Sequence, residues 1–186
     1  MCKEKDKEVT VDEIVPPGRS VRFNCGGTEG IKEEVLESLR DELERRGFCA
    51  TAGRYPAGYR DNDRLVFDDP ALAERLFAAL LPHLPREVTT ADGTRAELVG
   101  LNSRFRACRY RAGQSFQRHR DGAYAPSEEV RSERTLMLYL TDGSAHQGGR
   151  TRFYSSADPD APVSLGITPR AGLATVTVMA GLALDA

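Results

Sequence analysis

The feature that most limits the fold of this chain is a change in its hydrophobic pattern. Between residues 31 and 80, apolar side chains recur every three or four positions, which predicts two amphipathic helices. The first is expected to end at Gly47, and the second to begin at the acidic cap and proline of 68–70. From Leu98 onward the pattern changes to one typical of strands. Helices followed by strands indicate an α+β fold, with helices covering one side of a sandwich or jelly roll.

Between the two predicted helices lie a possible short strand at 48–50 and a loop rich in Gly, Pro and Arg at 53–64. The later part of the chain contains alternating or β-branched segments that predict longer strands. These segments are 105–110, 135–140 and 172–179.

The same patterns divide the chain into three parts. Residues 1–20 are polar and end in P-P-G, so we predict a flexible leader. Residues 21–97 form a helical support region, and residues 98–186 form a β-rich core.

Composition excludes several classes of function. The chain has 26 basic and 28 acidic residues and a formal net charge of −2, so nucleic acid is not an expected partner. No segment approaches the roughly 20 apolar residues of a membrane helix, and the charged N-terminus is not a secretory signal. The four cysteines include no C-x-x-C pair, so we predict free thiols in a cytoplasmic protein. They are Cys2, Cys25, Cys49 and Cys108.

The segment 110–122, Y-R-A-G-Q-S-F-Q-R-H-R-D-G, carries the candidate chemistry. On an extended strand His119 and Asp121 would project from the same face, because they are two positions apart. One imidazole nitrogen and one carboxylate oxygen suit a non-haem Fe(II) centre, which usually needs a second histidine. Such a pair also occurs by chance, so by itself it indicates a metal site only weakly. Arg118 and Arg120 flank it on the opposite face and are expected to be solvated.

With its neighbours, this segment resembles the prolyl 4-hydroxylase-like branch of the iron(II)- and 2-oxoglutarate-dependent dioxygenases. The family pattern R-Y-x-x-G-x-x-F-x-x-H-x-D-G is matched by 109–122. A strand ending Y-L-N-D is similar to 139–142, and G-G-E-T-x-F is similar to 148–153, with Arg150 in place of the glutamate. The resemblance extends over roughly residues 98–176.

The resemblance implies a double-stranded β-helix (jelly roll) that hydroxylates a protein side chain or a small molecule. It implies that His119 and Asp121 bind Fe(II), that Tyr110 lines the 2-oxoglutarate pocket, and that Tyr139 reaches the distal carboxylate of this cosubstrate. Both tyrosines could also be ordinary barrel residues. The reaction would consume O2 and 2-oxoglutarate and release succinate and CO2, and L-ascorbate would restore over-oxidised iron. The aspartate ligand implies hydroxylation rather than halogenation.

The C-terminal part departs from the family pattern G-L-A-L-V-F-x-H-x-x-x-H-E-G. Residues 172–174 match its beginning, but the expected histidine position falls near Ala183, and the family's basic residue would lie beyond residue 186. We therefore predict that the last strands are missing, through truncation or a frame shift, or that a genuine variant uses water, His146 or Asp185 as the third ligand. His83 is expected at the surface. The alternative function is a catalytically inactive jelly roll that acts as a binding or scaffold module.

Overall fold

The computed structural model of the chain describes residues 7–8, 23–24, 33–90, 93–143, 148–154, 156, 158, 160–178 and 183–185. Its helices are α1 (Glu33–Arg46) and α2 (Pro70–Leu80), and a 3-10 turn follows at Leu81–His83. The strands are β1 (Lys7–Glu8), β2 (Phe23–Asn24), β3 (Cys49–Ala50), β4 (Asp63–Asp68), β5 (Glu87–Thr89), β6 (Arg95–Glu97), β7 (Arg104–Arg109), β8 (Arg134–Leu138), β9 (Thr151–Tyr154), β10 (Val163–Ile167), β11 (Leu173–Val178) and β12 (Ala183–Asp185).

Both predicted helices are present, and their ends follow ordinary capping chemistry. Helix α1 buries Leu36 and Leu43 on one face. It ends at Gly47, whose φ of 82° is the left-handed conformation that glycine adopts readily after a helix. Helix α2 begins where the Asp69 side chain accepts a 2.9 Å hydrogen bond from the amide of Leu72. The acidic cap identified in the sequence is therefore confirmed.

The strands pair antiparallel within the described residues and form four sheets. Their orders are β1-β7-β4-β3, β2-β11-β8, β10-β9-β12 and β5-β6. Strands β7, β8 and β11 confirm the three longer strands predicted from the sequence, each to within two residues. The fold is thus a mixture of helices and antiparallel strands.

Two apolar clusters lie between these elements. The larger cluster joins both helices to β4, β7, β8 and β11, and it includes Leu65, Phe105 and Leu136. A smaller cluster of residues from β9, β10 and β11 consists of Phe153, Ile167 and Leu173, with Tyr139 and Leu165 packed against it. The helices therefore cover a sheet face, as their single apolar faces predicted.

Strand β4 was not predicted, and its location explains why. It pairs with β7 on one side and β3 on the other, and Leu65, Val66 and Phe67 are all buried. A strand buried on both faces shows no alternation of polar and apolar residues, and this short apolar run looked like the end of a loop. The pairing of β4 with β7 also crosses the boundary predicted at residue 98, while the division into three parts stays a prediction.

The C-terminal residues include the position of the expected histidine. Strand β11 pairs with β2 on one side and β8 on the other. Strand β12 pairs with β9, and Ala183 lies opposite Tyr154. The predicted leader falls outside the described residues apart from β1, which pairs with β7.

The cysteines correct one prediction. Cys49 is disulfide-bonded, so the expectation of free thiols is wrong for this residue. It relied on the absence of closely spaced cysteines, which does not exclude a bond between cysteines far apart in sequence. Cys108 forms no disulfide bond, as predicted, and the two remaining cysteines lie outside the described residues. Neither helix of the described residues is long and apolar enough to cross a membrane.

A buried carboxylate on β4 predicts an acid-sensitive contribution to stability. Asp63 accepts hydrogen bonds from the guanidinium of Arg109 at 3.0 and 3.3 Å and from that of Arg111 at 3.2 Å. Burial raises the pKa of Asp63, but the two arginines lower it by a larger amount, so the net pKa lies below the ordinary 3.8. This contribution is therefore complete above the unfolded-state pKa and is lost as the pH falls through the lower folded-state pKa.

We expect Asp63→Asn to lower the free energy of unfolding at pH 7 by about 1.5–3 kcal/mol, as is typical for hydrogen bonds to a charged group. Below pH 3.8 the deficit should shrink, because the wild-type carboxylate becomes protonated too. Urea unfolding across this range measures both values. Asp68→Asn is the matched control, because Asp68 lies on the same strand in an exposed ion pair and should cost less than about 1 kcal/mol. A deficit for Asp63→Asn that is independent of pH would contradict the assignment.

Candidate active site

The structure brings His119 and Asp121 together, as their spacing predicted. His119 Nε2 lies 3.5 Å from Asp121 Oδ1, and the two side chains are only 8% and 19% exposed. Both groups therefore sit largely out of water, with their donor atoms directed at a common point. A pair of this kind can hold a cation between them.

The backbone orients the imidazole of His119. Its Nδ1 lies 2.8 Å from the carbonyl oxygen of Gln117. Because a carbonyl oxygen only accepts, this bond holds the proton of the neutral ring on Nδ1. Nε2 lies on the side of Asp121, so a cation that takes the place of its proton would meet both side chains, and an Nδ1–H bonded to a carbonyl is the arrangement seen in metal-binding histidines.

The carboxylate of Asp121 is in the form that a metal requires. Burial raises its pKa, but hydrogen bonds from His119 and Thr135, together with the positive charge of Arg106, lower it more strongly. The net pKa lies below the ordinary 3.8. Asp121 is therefore ionised at neutral pH and need not lose a proton to bind a cation.

The phenyl ring of Phe116 packs against one face of the His119 imidazole. The rings of Phe116 and His119 are stacked with centroids 3.6 Å apart and planes inclined by 20°. Because the imidazole covers one face of Phe116, the guanidinium carbon of Arg60, 3.9 Å from the same centroid, lies over the other face. The Tyr59 ring meets Phe116 edge-on at 5.5 Å. Arg60 and Tyr59 were not identified from the sequence, where they stood in the predicted loop with no signal to distinguish them.

The distance between the two donors suits a metal ion. Adjacent ligands of an octahedral ion, each bound at about 2.1 Å, lie about 3 Å apart. His119 Nε2 and Asp121 Oδ1 at 3.5 Å therefore need to move by only a few tenths of an ångström. No cluster of three His, Cys, Asp or Glu side chains occurs among the described residues, so they supply two ligands and not a third.

The side chains of the predicted protein ligands for the third position, His146 and Asp185, lie outside the described part of the chain. His146 lies outside the described residues, and Asp185 is described only through its backbone in β12. His83 is exposed, as expected. The use of water, His146 or Asp185 at the third position stays a prediction.

Tyr139 follows β8 and is held at the junction of three strands. Its hydroxyl donates a 2.9 Å hydrogen bond to Thr151 Oγ1 on β9. Its backbone exchanges 2.9 Å bonds with Leu173 and Gly172 at the start of β11. A bound carboxylate would accept the hydrogen bond that the Tyr139 hydroxyl now donates to Thr151. The role in binding a carboxylate that the resemblance implied for Tyr139 stays a prediction.

Tyr110 follows β7 directly, and its side chain is 39% exposed. The structure thus places it at the surface, so its predicted role in a cosubstrate pocket depends on what a bound ligand would cover. A shallow, open surface region of about 580 Å³ lies along α1, lined by residues such as Glu34 and Asp41, and includes none of the site residues.

Arg118 corrects the expectation of a solvated side chain. Its guanidinium carbon lies 3.3 Å from the centroid of the Tyr154 ring, and it donates hydrogen bonds to the carbonyl oxygens of Asp158 and, at 2.9 Å, Ala161. These contacts tie the segment of His119 to β9 and the loop that follows it. Arg120 is exposed, as expected.

Comparison with solved structures identifies a similar fold. The crystal structure of a Pseudomonas putida prolyl-4-hydroxylase superposes with a TM-score of 0.52 and 19% sequence identity, covering 83% of this chain and 79% of that chain. At this identity the likeness shows the fold alone. No family model matches the sequence, and no curated protein matches it either. The chain therefore has a prolyl 4-hydroxylase-like fold, with His119 and Asp121 forming a candidate metal centre on it.

Proposed function

We propose that this chain is an iron(II)- and 2-oxoglutarate-dependent dioxygenase with a double-stranded β-helix core. Its reaction would hydroxylate a protein side chain or a small molecule and release succinate and CO2. The observation that carries the proposal is the buried pair of His119 and Asp121, with donors 3.5 Å apart on a prolyl 4-hydroxylase-like fold. The pair offers the two adjacent ligands that such an iron site needs.

The residues of the site would divide the work. His119 Nε2 and the Asp121 carboxylate would hold Fe(II), which supplies the oxidative chemistry with 2-oxoglutarate and O2 when bound. L-ascorbate, a reductant, would return over-oxidised iron to Fe(II). The Tyr139 hydroxyl, supported by Thr151, would orient the distal carboxylate of the cosubstrate. Tyr110 would cover the cosubstrate from the end of β7.

The partners and the location belong to the same proposal. The balanced charge of the chain supports a protein or small-molecule substrate rather than a nucleic acid. We also infer a cytoplasmic location from the sequence, although the disulfide at Cys49 is more typical of an oxidising compartment.

A second function is favoured by one specific observation. The described residues supply two ligands and no third, and an iron site with two protein ligands binds its metal less tightly than one with three. The alternative is therefore a catalytically inactive barrel that acts as a binding or scaffold module.

An anaerobic titration of the purified chain with Fe(II) separates the two functions. Under the proposal, adding 2-oxoglutarate produces a visible metal-to-ligand charge-transfer band, and admitting air then produces succinate. Succinate added in place of 2-oxoglutarate is the control, because it lacks the keto acid that chelates iron and should give no band. Folded protein that gives neither band nor product would support the inactive module.

A further inference from the structure

Arg60 is a buried cation whose side-chain hydrogen-bond partners among the described residues are neutral. It is 5% exposed and lies in the loop between β3 and β4. Its Nε donates a 2.7 Å hydrogen bond to Asn62 Oδ1, and its Nη2 lies 3.1 Å from Cys108 Sγ. Among the described residues, no ion pair at salt-bridge distance involves Arg60. Burying a charge in such surroundings is unfavourable unless other contacts compensate for it.

The compensating contact is the face of Phe116. The guanidinium of Arg60, the phenyl ring of Phe116 and the imidazole of His119 form one stacked column, with successive separations of 3.9 and 3.6 Å. An aromatic face attracts a cation, and the attraction is stronger where water is excluded. The column thus begins at a buried charge and ends at a candidate metal ligand.

Backbone pairing holds the first two members of this column, Arg60 and Phe116, next to each other. Arg60 and Phe116 form an isolated antiparallel bridge. The amide of Gln117 donates a 2.9 Å hydrogen bond to the carbonyl of Tyr59. The loop before β4 and the segment of His119 are therefore joined through their backbones, which keeps Arg60 and Phe116 next to each other.

We infer that Arg60 is a positioning residue for His119: acting through Phe116, it fixes the plane of the imidazole so that Nε2 stays directed at Asp121. The hydrogen bond from Nδ1 to the Gln117 carbonyl fixes one direction of the ring, and the stacked phenyl ring fixes its tilt. The inference deepens the proposed function, because the metal affinity that it explains rests on His119 being a ligand.

Arg60→Met tests the inference, because it keeps a long buried side chain but removes the charge and the flat guanidinium. In the metal-free protein, NMR of the His119 ring protons reports the stacking directly, since the Phe116 ring shifts them upfield. We expect Arg60→Met to move these signals towards their unstacked positions. We also expect affinity for Co(II), a spectroscopic substitute for Fe(II), to fall about tenfold, as is usual when a partner that orients a metal ligand is lost.

Arg64→Met is the matched control, since Arg64 is a half-buried arginine on the adjoining strand that donates a 2.9 Å bond to the Tyr55 hydroxyl instead. It should leave the His119 signals and the Co(II) affinity within twofold of wild type. A folded Arg60→Met variant that also behaves like wild type would overturn the inference.

Phe116→Leu provides a second test that does not depend on the folding of Arg60→Met alone. Because Arg60 acts through Phe116, adding Arg60→Met to Phe116→Leu should cause no further loss of Co(II) affinity. Additive losses would show that Arg60 acts by another route and would overturn the inference. If wild-type protein binds no Co(II), the proposed function fails, while the NMR signals of the metal-free protein still decide whether Arg60 positions the ring.

Discussion

His119→Ala is expected to lower the affinity for Fe(II) by more than about 100-fold, because it removes one of the two ligands that the described residues supply. The charge-transfer band with 2-oxoglutarate and the succinate produced after admitting air should both disappear. Asp121 would remain, but a single carboxylate provides too few ligands, and too little fixed geometry, to hold iron. Anaerobic titration followed by succinate analysis measures both effects.

His83→Ala is the matched control for this experiment. It makes the same substitution in an exposed histidine of the 3-10 turn after α2, outside the candidate site. It should therefore titrate with Fe(II) like the wild type. If His119→Ala also retained the band and the product, iron would be binding elsewhere, and the pair with Asp121 would lose its assignment. Only the wild-type titration can then distinguish an active enzyme from an inactive module.

The second large effect is expected from the core beneath the site. Leu136 on β8 is 1% exposed and belongs to the cluster that joins both helices to the sheets. Leu136→Ala should lower the free energy of unfolding by about 2–5 kcal/mol, because it removes buried apolar atoms and leaves a cavity. Urea unfolding followed by circular dichroism measures the loss.

Val163→Ala provides the comparison for this core variant. Val163 also lies on a strand, β10, but its side chain is 47% exposed, so the change should cost less than about 1 kcal/mol. Equal losses at the two positions would mean that Leu136 is not packed as the structure shows. The neighbouring Thr135 donates its hydrogen bond to Asp121, so the stability of β8 also bears on the site.

The sequence predicted those parts of the fold whose signals are local. The two helices were recognisable from the spacing of apolar residues and from the cap at Asp69, which depend on nearby residues alone. The close approach of His119 and Asp121 was predictable for the same reason, since two positions on extended backbone face the same way. Such features depend on neighbouring residues in the sequence and not on how distant parts of the chain pack.

The features that escaped prediction depend on contacts between distant parts of the chain. Strand β4 has no alternation because consecutive residues, Leu65, Val66 and Phe67, are all buried, so both of its faces are covered, which its own residues do not reveal. Arg60 gains its position only when the loop before β4 bridges to Phe116. The bond at Cys49 is likewise a matter of tertiary proximity rather than of spacing.

The position of β11 has a consequence for how the chain reaches its native state. This strand pairs through Leu173 with Asn24 of β2 and through Val176 with Leu136 of β8. Its sheet therefore depends on contacts between residues from opposite ends of the chain, and closing so long a loop is an entropic cost that must be met before the strands stabilise one another. On the ribosome, this sheet cannot assemble until β11 has been synthesised, while α1 and α2 can already form. Until then the apolar faces of both helices can pack only on β4 and β7, without the buried residues that β8 and β11 add to the same cluster, and this interval is the one in which a chaperone would matter most.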